Sequence, residues 1–179
     1  MFDYKAHFSS FCEENGLDLS LSFDMPEGYG TANGLFDPER KTVFINAALL
    51  ESAPDGEKAF YFFHELRHAA QYLLPDRFPD LIRRSLRYVI RYDGTCYKQV
   101  GDDYAECRLE GGEAYFTRLY LGQPHEADAN AFAFGRVREL FGDSEALDRL
   151  YGFWMPEPPV PDETYETVWR LIDEKLSGL

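Results

Sequence analysis

Cysteine and long apolar runs are scarce in this sequence. The three cysteines, Cys12, Cys96 and Cys107, are odd in number and lack CxxC spacing. This pattern argues against a disulfide framework and against a cysteine zinc cluster, so we expect a reducing, cytoplasmic location. No apolar run approaches the roughly 18 residues that a membrane span needs. The first residues lack the pattern of a signal peptide, so we expect no membrane association.

Basic residues are also few. The chain has 18 Lys and Arg against 32 Asp and Glu, which gives a formal net charge of −14. An acidic surface repels phosphate backbones, and we therefore expect no direct nucleic-acid binding. The charge has two interpretations. It provides solubility, or it lets the protein imitate nucleic acid and bind to a basic partner protein.

Hydrophobic residues are abundant, and their spacing predicts an α+β fold. The 179 residues are 45% hydrophobic, with 15 Phe and 12 Tyr, which fits one globular domain over 1–179 with a core rich in rings. Strict alternation predicts a strand at 17–23, and a turn between two apolar runs predicts a hairpin of 35–36 with 42–45. Two or three short strands are expected within 92–121. Helices are predicted at 3–16, 46–52, 57–74, 79–90, 124–140, 143–151 and 162–176.

Residues 64–68 read His-Glu-Leu-Arg-His, the pattern H-E-x-x-H. On a helix, four residues advance about 400°, so His64 and His68 project from one face, one turn apart. Two imidazoles at that separation can share one ion, and zinc is the metal that we expect, one per chain. Glu65 is rotated by one position, where it can reach a water molecule on the metal. That placement is typical of a catalytic base.

A catalytic zinc site needs a third protein ligand, and the acidic helix at 124–140 offers three. Glu126 is the ligand that we favour, with Asp128 and His125 as the alternatives. Asn130 lies one turn after Glu126. It can accept a hydrogen bond from the far nitrogen of a ligating imidazole and so orient that ring. Alanines at alternate positions of this helix favour close packing on the H-E-x-x-H helix.

Two further segments carry a family resemblance. Residues 34–46 read Gly-Leu-Phe-Asp-Pro-Glu-Arg-Lys-Thr-Val-Phe-Ile-Asn, and residues 126–133 read Glu-Ala-Asp-Ala-Asn-Ala-Phe-Ala. Together with the H-E-x-x-H helix they resemble the ImmA/IrrE-type zinc metallopeptidase family over about 34–74 and 124–134. The resemblance implies a glycine-led hairpin flanking a cleft between two motif helices. It also implies His64, His68 and Glu126 as ligands and Glu65 as base.

The resemblance has departures. Residues 76–123 have no counterpart and form an insertion between the two motif helices. Arg67 occupies a position that is commonly small or apolar. Phe-Gly-Arg at 134–136 stands where the family has a Leu-Leu-Met-Pro-like ending, and no helix-turn-helix domain is present.

The implied activity is zinc-dependent hydrolysis of a peptide bond in a specific protein substrate, such as a repressor-type regulator in bacteria or mobile elements. In the resembling fold, strand 42–45 flanks the cleft. Its exposed edge would pair with an extended substrate, or the strand is simply packed. The oxyanion needs a donor, for which Tyr97, Tyr104, Tyr115, Arg67 and His125 are candidates.

Two other functions remain open. One is a non-catalytic, acidic protein-binding module, an inhibitor or mimic, on a metallopeptidase-like zinc scaffold. Retention of Glu65 beside both histidines argues against it. The other is a metal-dependent hydrolase that acts on a bond other than a peptide.

Overall fold

The computed structural model describes residues 2–178, and within them the chain forms seven α-helices and two three-stranded sheets. The predicted mixed α+β class is confirmed. The chain packs as two units, Met1–Arg77 with Asp128–Tyr151 and Phe78–Ala127 with Gly152–Leu179. One domain over 1–179 with an insertion at 76–123 stays a prediction, although the second unit takes in most of that insertion. None of the helices in the described range is long and apolar enough to cross a membrane.

The sheet of the first unit consists of a hairpin and one added strand. Strands β2 (Gly34–Asp37) and β3 (Thr42–Ile45) pair antiparallel, as predicted. Strand β1 (Ser20–Ser22) pairs with β3 in parallel, so the order is β1-β3-β2. Asp37 forms the hairpin turn, because its Oδ1 accepts the backbone N–H groups of the second and third residues after it.

The position of β3 decides between two expectations. All four of its residues are buried, and both of its sides are paired with neighbouring strands. Of the two alternatives for 42–45, the structure therefore supports the packed strand and excludes the exposed edge. In the described sheet the outer strands are β1 and β2.

Three helices of the first unit follow local signals in the sequence. Helix α1 (Tyr4–Asn15) is capped by the Asp3 side chain and ends at Gly16, which has a φ of 65°. Helix α2 (Asp55–Leu73) ends before Pro75. Helix α5 (Pro124–Phe141) opens on proline, whose missing N–H costs nothing at a first helical position. Helix α6 (Glu145–Trp154) follows, and its last residues belong to the second unit.

Helices α2 and α5 are joined by side-chain contacts, among them the hydrogen bond of Arg67 to Asp128 and the approach of the Arg136 guanidinium to the Phe63 ring. Phe60, Phe62 and Phe63 of α2 are at most 1% exposed, and Ala129 and Ala133 of α5 are 0% exposed. Burying one such phenylalanine side chain contributes roughly 1.5–3 kcal/mol to the free energy of folding.

The second unit packs helices on one face of the other sheet. Strands β4 (Tyr88–Ile90), β5 (Thr95–Val100) and β6 (Asp103–Arg108) form an antiparallel meander. Helices α3 (Asp80–Ser85), α4 (Glu113–Leu121) and α7 (Asp162–Ser177) complete the unit. The core joins the inner face of the sheet to α4 and α7 and includes Tyr88, Ile90, Cys96, Cys107, Phe116, Leu119, Tyr165 and Trp169.

Four predicted elements differ from the structure. The helix expected at 79–90 ends at Ser85 and is followed by β4. The residues expected to form a short helix at 46–52 form turns, and the strand expected at 17–23 is limited to Ser20–Ser22. Residues 92–121 contain β5 and β6 as expected, but their last part is helix α4. The long helices at 57–74, 124–140 and 162–176 are confirmed, with bounds shifted by one or two residues.

Candidate metal centre

The two histidines of the motif face each other across one turn of α2. Their Nε2 atoms are 3.0 Å apart, and their ring planes are nearly perpendicular, at 87°. Two nitrogen ligands at 2.0–2.1 Å from a tetrahedral ion are about 3.3 Å apart. The distance between His64 and His68 is therefore close to that of two ligands that share one metal.

Glu126 brings the third donor. One ligand atom from each of His64, His68 and Glu126 can be chosen so that all three lie within 4.8 Å of one another. Glu126 stands on the first turn of α5, and the division between the two units falls in this helix immediately after Ala127. The helix that carries Glu126 is therefore continuous with the part that packs on α2. These three residues can hold a metal ion.

The two alternative ligands have other contacts. Asp128 accepts hydrogen bonds from Arg67, at 2.7 Å from Nε and 3.0 Å from Nη2. His125 Nδ1 lies 2.6 Å from the Oγ of Ser85, and its Nε2 lies 3.3 Å from a carboxylate oxygen of Glu126. The structure thus places His125 beside the predicted ligand Glu126 and places Asp128 in an ion pair with Arg67.

Gln71 orients one of the histidines. Its Nε2 donates to Asp128 Oδ2 at 2.8 Å, so its oxygen is the atom that faces His68 Nδ1, also at 2.8 Å. A carbonyl oxygen accepts, and Nδ1 of His68 must therefore carry the proton. This leaves the lone pair on Nε2, the atom that faces His64. That tautomer is the one a metal ligand needs.

Sequence reasoning gave this orienting role to Asn130 and did not single out Gln71. Asn130 is buried, at 4% exposed, one turn after Glu126. Its role toward the metal stays a prediction. The position of Gln71, three residues after His68 on the same helix, is the signal that could have identified it, because residues i and i+3 are neighbours on a helix.

The predicted base is held between the motif helix and the edge of the sheet. Glu65 is only 8% exposed. A Cβ atom on Gly34 of β2 would lie 2.7 Å from Glu65 Cγ and 3.1 Å from its Oε1. The backbone of Gly34 has an ordinary negative φ. The glycine is therefore needed for space, since any other residue there would displace the Glu65 side chain.

Tyr120 was not among the candidate donors. Burial, followed by the charge of the Glu126 carboxylate, raises the pKa of the Tyr120 phenol. This group therefore stays protonated, as a hydrogen-bond donor, at neutral pH. Of the candidates from the sequence, Tyr97 and Tyr104 lie on β5 and β6, Tyr115 lies on α4, and Arg67 is engaged with Asp128.

Comparison with known proteins gives no match: neither a family model nor a curated protein nor a solved structure is significantly similar to this chain. The function must therefore be argued from the residues of the candidate metal centre.

Proposed function

We propose that this chain is a zinc-dependent metallopeptidase that hydrolyses a peptide bond in a specific protein substrate. The observation that carries the proposal is the placement of Glu65. It is buried against Gly34 and is adjacent in sequence to a residue of the group His64, His68 and Glu126. A purely structural metal site needs ligands but no additional carboxylate beside them.

The donor set favours zinc. Two imidazole nitrogens and one carboxylate are a common ligand set of catalytic zinc, whereas calcium and magnesium prefer oxygen donors. His64, His68 and Glu126 would hold the ion. Zinc held there would lower the pKa of a bound water to about 7 and would polarise the carbonyl group of a peptide.

The side chains of this chain supply the proton transfers. Glu65 accepts a proton from the attacking water as the new C–O bond forms, and it delivers that proton to the leaving amine as the C–N bond breaks. The contact with Gly34 restricts the Glu65 side chain. Tyr120 and His125, which lie near Glu126, are the candidate donors to the developing oxyanion.

The outer strand β2 is the candidate surface for the substrate backbone. It carries Gly34, which packs on Glu65, and one of its edges pairs with β3. An extended peptide added at the other edge would gain main-chain hydrogen bonds close to the base. Such pairing favours a protein segment over a small molecule as substrate.

The test compares wild type with Glu65→Gln in the cell from which the chain comes. New protein N-termini are mapped by mass spectrometry, and zinc is measured in both purified proteins. We expect one zinc per chain in both and a new N-terminus only with wild type. If Glu65→Gln retains zinc and every cellular effect of wild type, the chain is a non-catalytic binding module and the peptidase proposal is refuted.

A further inference from the structure

The sheet of the second unit covers the core with one face and exposes the other. Val89, Tyr97 and Glu106 are paired across the three strands and share the outer face. Tyr104 pairs with Gln99 on the same face, and Val89 and Tyr104 are 36% and 50% exposed. The outer face therefore presents an aliphatic side chain and two aromatic rings.

Three arginines complete this outer face. The carbonyl oxygen of Arg87 accepts the N–H of Gln99 at 2.8 Å, and the N–H of Arg91 donates to Thr95 at 2.9 Å. Arg108 pairs with Thr95 from β6. Since residues opposite each other on neighbouring strands share a face, all three arginines lie on the side of Tyr97 and Tyr104. All three are exposed.

The arginines of the outer face differ from others in the same unit. Arg84 and Arg170 each lie within 2.8 Å of a carboxylate oxygen. Between residues 2 and 178, no carboxylate lies within 4.0 Å of the charged nitrogens of Arg87, Arg91 or Arg108, and the guanidinium of Arg91 donates to the Tyr97 hydroxyl. The nearby Asp93 carboxylate accepts hydrogen bonds from the backbone and hydroxyl of Thr95 and interacts with Arg91 and Arg108 only through the longer-range attraction of its charge. In a chain with 32 acidic residues, three arginines on one face without a direct ion pair are a local positive surface.

Charge complementarity selects the partner. The outer face has three arginines and Glu106, and Asp93 lies beside it, so the local charge is +1, against −14 for the whole chain. Beyond about 8 Å the distant acids are screened at physiological salt, so a short anionic ligand meets mainly the arginines. Three strands span about 10 Å and a six-residue strand about 20 Å, the size of a short extended peptide. A nucleic-acid strand would continue past the face onto an acidic surface.

We propose that this outer face is a docking surface for a short acidic segment of a protein partner. Carboxylates of the segment pair with Arg87, Arg91 and Arg108, and apolar residues between them pack on Tyr97, Tyr104 and Val89. The proposal does not depend on the metal centre.

The test measures binding of one probe by fluorescence anisotropy. The probe is the fluorescein-labelled peptide Glu-Val-Glu-Tyr-Glu-Val-Glu, and its control has glutamine at each glutamate. The test protein is the full chain with Arg87→Gln, Arg91→Gln and Arg108→Gln combined. The matched control combines Arg83→Gln, Arg149→Gln and Arg170→Gln, which change the net charge equally but lie on helices α3, α6 and α7.

Each exposed ion pair contributes a factor of about 2 to 5, so the face variant should bind the probe at least about tenfold more weakly than wild type. The control variant should stay within about twofold, and the glutamine peptide should not bind. Circular dichroism checks folding. If the triple variant does not fold, Arg87→Gln and Arg108→Gln alone should each weaken binding by about 2 to 5-fold.

Three results would overturn the proposal. Equal losses in the face and control variants would mean that only net charge matters. Tighter binding of a ten-residue oligothymidylate than of the peptide, lost in the face variant, would assign the face to nucleic acid. Self-association in sedimentation velocity that the face variant abolishes would assign it to a second copy of the chain.

Discussion

The close approach of Gly34 to Glu65 gives a stability prediction that needs no knowledge of the substrate, and an activity prediction that uses the mapped cleavage site. In Gly34→Ala the new Cβ would lie 2.7 Å from Glu65 Cγ. Carbon atoms in contact are about 3.5–4.0 Å apart, so the two groups must separate by about 1 Å. Overpacking of this kind costs about 1–3 kcal/mol. For a chain of this length that lowers the Tm by roughly 2–12 °C. A 1 Å misplacement of the base can lower turnover about 10²-fold.

A double-mutant cycle in thermal unfolding isolates this contact. In a Glu65→Ala background, Gly34→Ala should lower the free energy of unfolding by less than about 0.5 kcal/mol, because the Glu65 atoms that the new Cβ would meet are absent. Gly30→Ala is the matched control, since nothing lies within 4 Å of the position that its Cβ would take. Zinc content should stay at one per chain in every variant. Turnover is measured on a peptide that spans the mapped cleavage site. Equal destabilisation in both backgrounds, or full turnover by Gly34→Ala, would refute the reasoning.

Three further predictions concern the ligands and a buried thiol. Glu126→Ala should lose zinc, whereas Asp128→Ala should retain a full equivalent; the opposite result by elemental analysis would move the third ligand to Asp128. Gln71→Ala should weaken zinc affinity about 10–100-fold in competition with a chelator, because the His68 tautomer is no longer fixed; unchanged affinity would contradict that role. Burial raises the pKa of Cys96 from 9.0 to about 12. Since only the thiolate is alkylated, iodoacetamide at pH 8 should label Cys96 about 10³-fold more slowly than an ordinary thiol, and rapid labelling of the folded chain would contradict this.

Helix limits were predictable because their signals are local. Gly16, Pro75, Pro124 and Gly142 end or begin helices at or next to their own positions. The hairpin was predictable for the same reason, because its turn is formed by Asp37 within the loop itself.

Elements fixed by distant contacts were not predictable. Strand β4 is three residues long, too short for an alternating pattern to stand out from the preceding helix, and it exists by pairing with β5. Helix α4 follows two glycines and is rich in Tyr and Thr, which favour strands. It is helical because Phe116 and Leu119, one turn apart, enter the core beside Trp169 of the distant α7. Tertiary burial there outweighs local preference.

Within the candidate site, too, local contacts could be predicted from the sequence and long-range contacts could not. The pairing of His64 with His68 follows from four-residue spacing on one helix. The contact between Gly34 and Glu65 joins residues 31 positions apart, and the interaction between Tyr120 and Glu126 depends on how α4 and α5 are placed. Sequence patterns pointed to His64, His68 and Glu126, which the structure brings together as a group that could hold a metal ion, whereas the residues that contact Glu65 and Glu126 required coordinates.

Arg67 shows how a departure from a family pattern can support a site. Its guanidinium holds Asp128 with two hydrogen bonds and lies 4.9 Å from the centre of the Phe132 ring, so it ties α2 to α5. Asp128, fixed in this way, accepts from Gln71 and thereby turns the oxygen of Gln71 toward His68. A small or apolar residue at position 67 would leave Asp128 without this partner. The Asp128 carboxylate would then compete with Glu126 as the third ligand, the alternative that the sequence offered. The arginine therefore has two effects on the candidate centre: it engages the Asp128 carboxylate, and through Gln71 it fixes the proton on Nδ1 of His68.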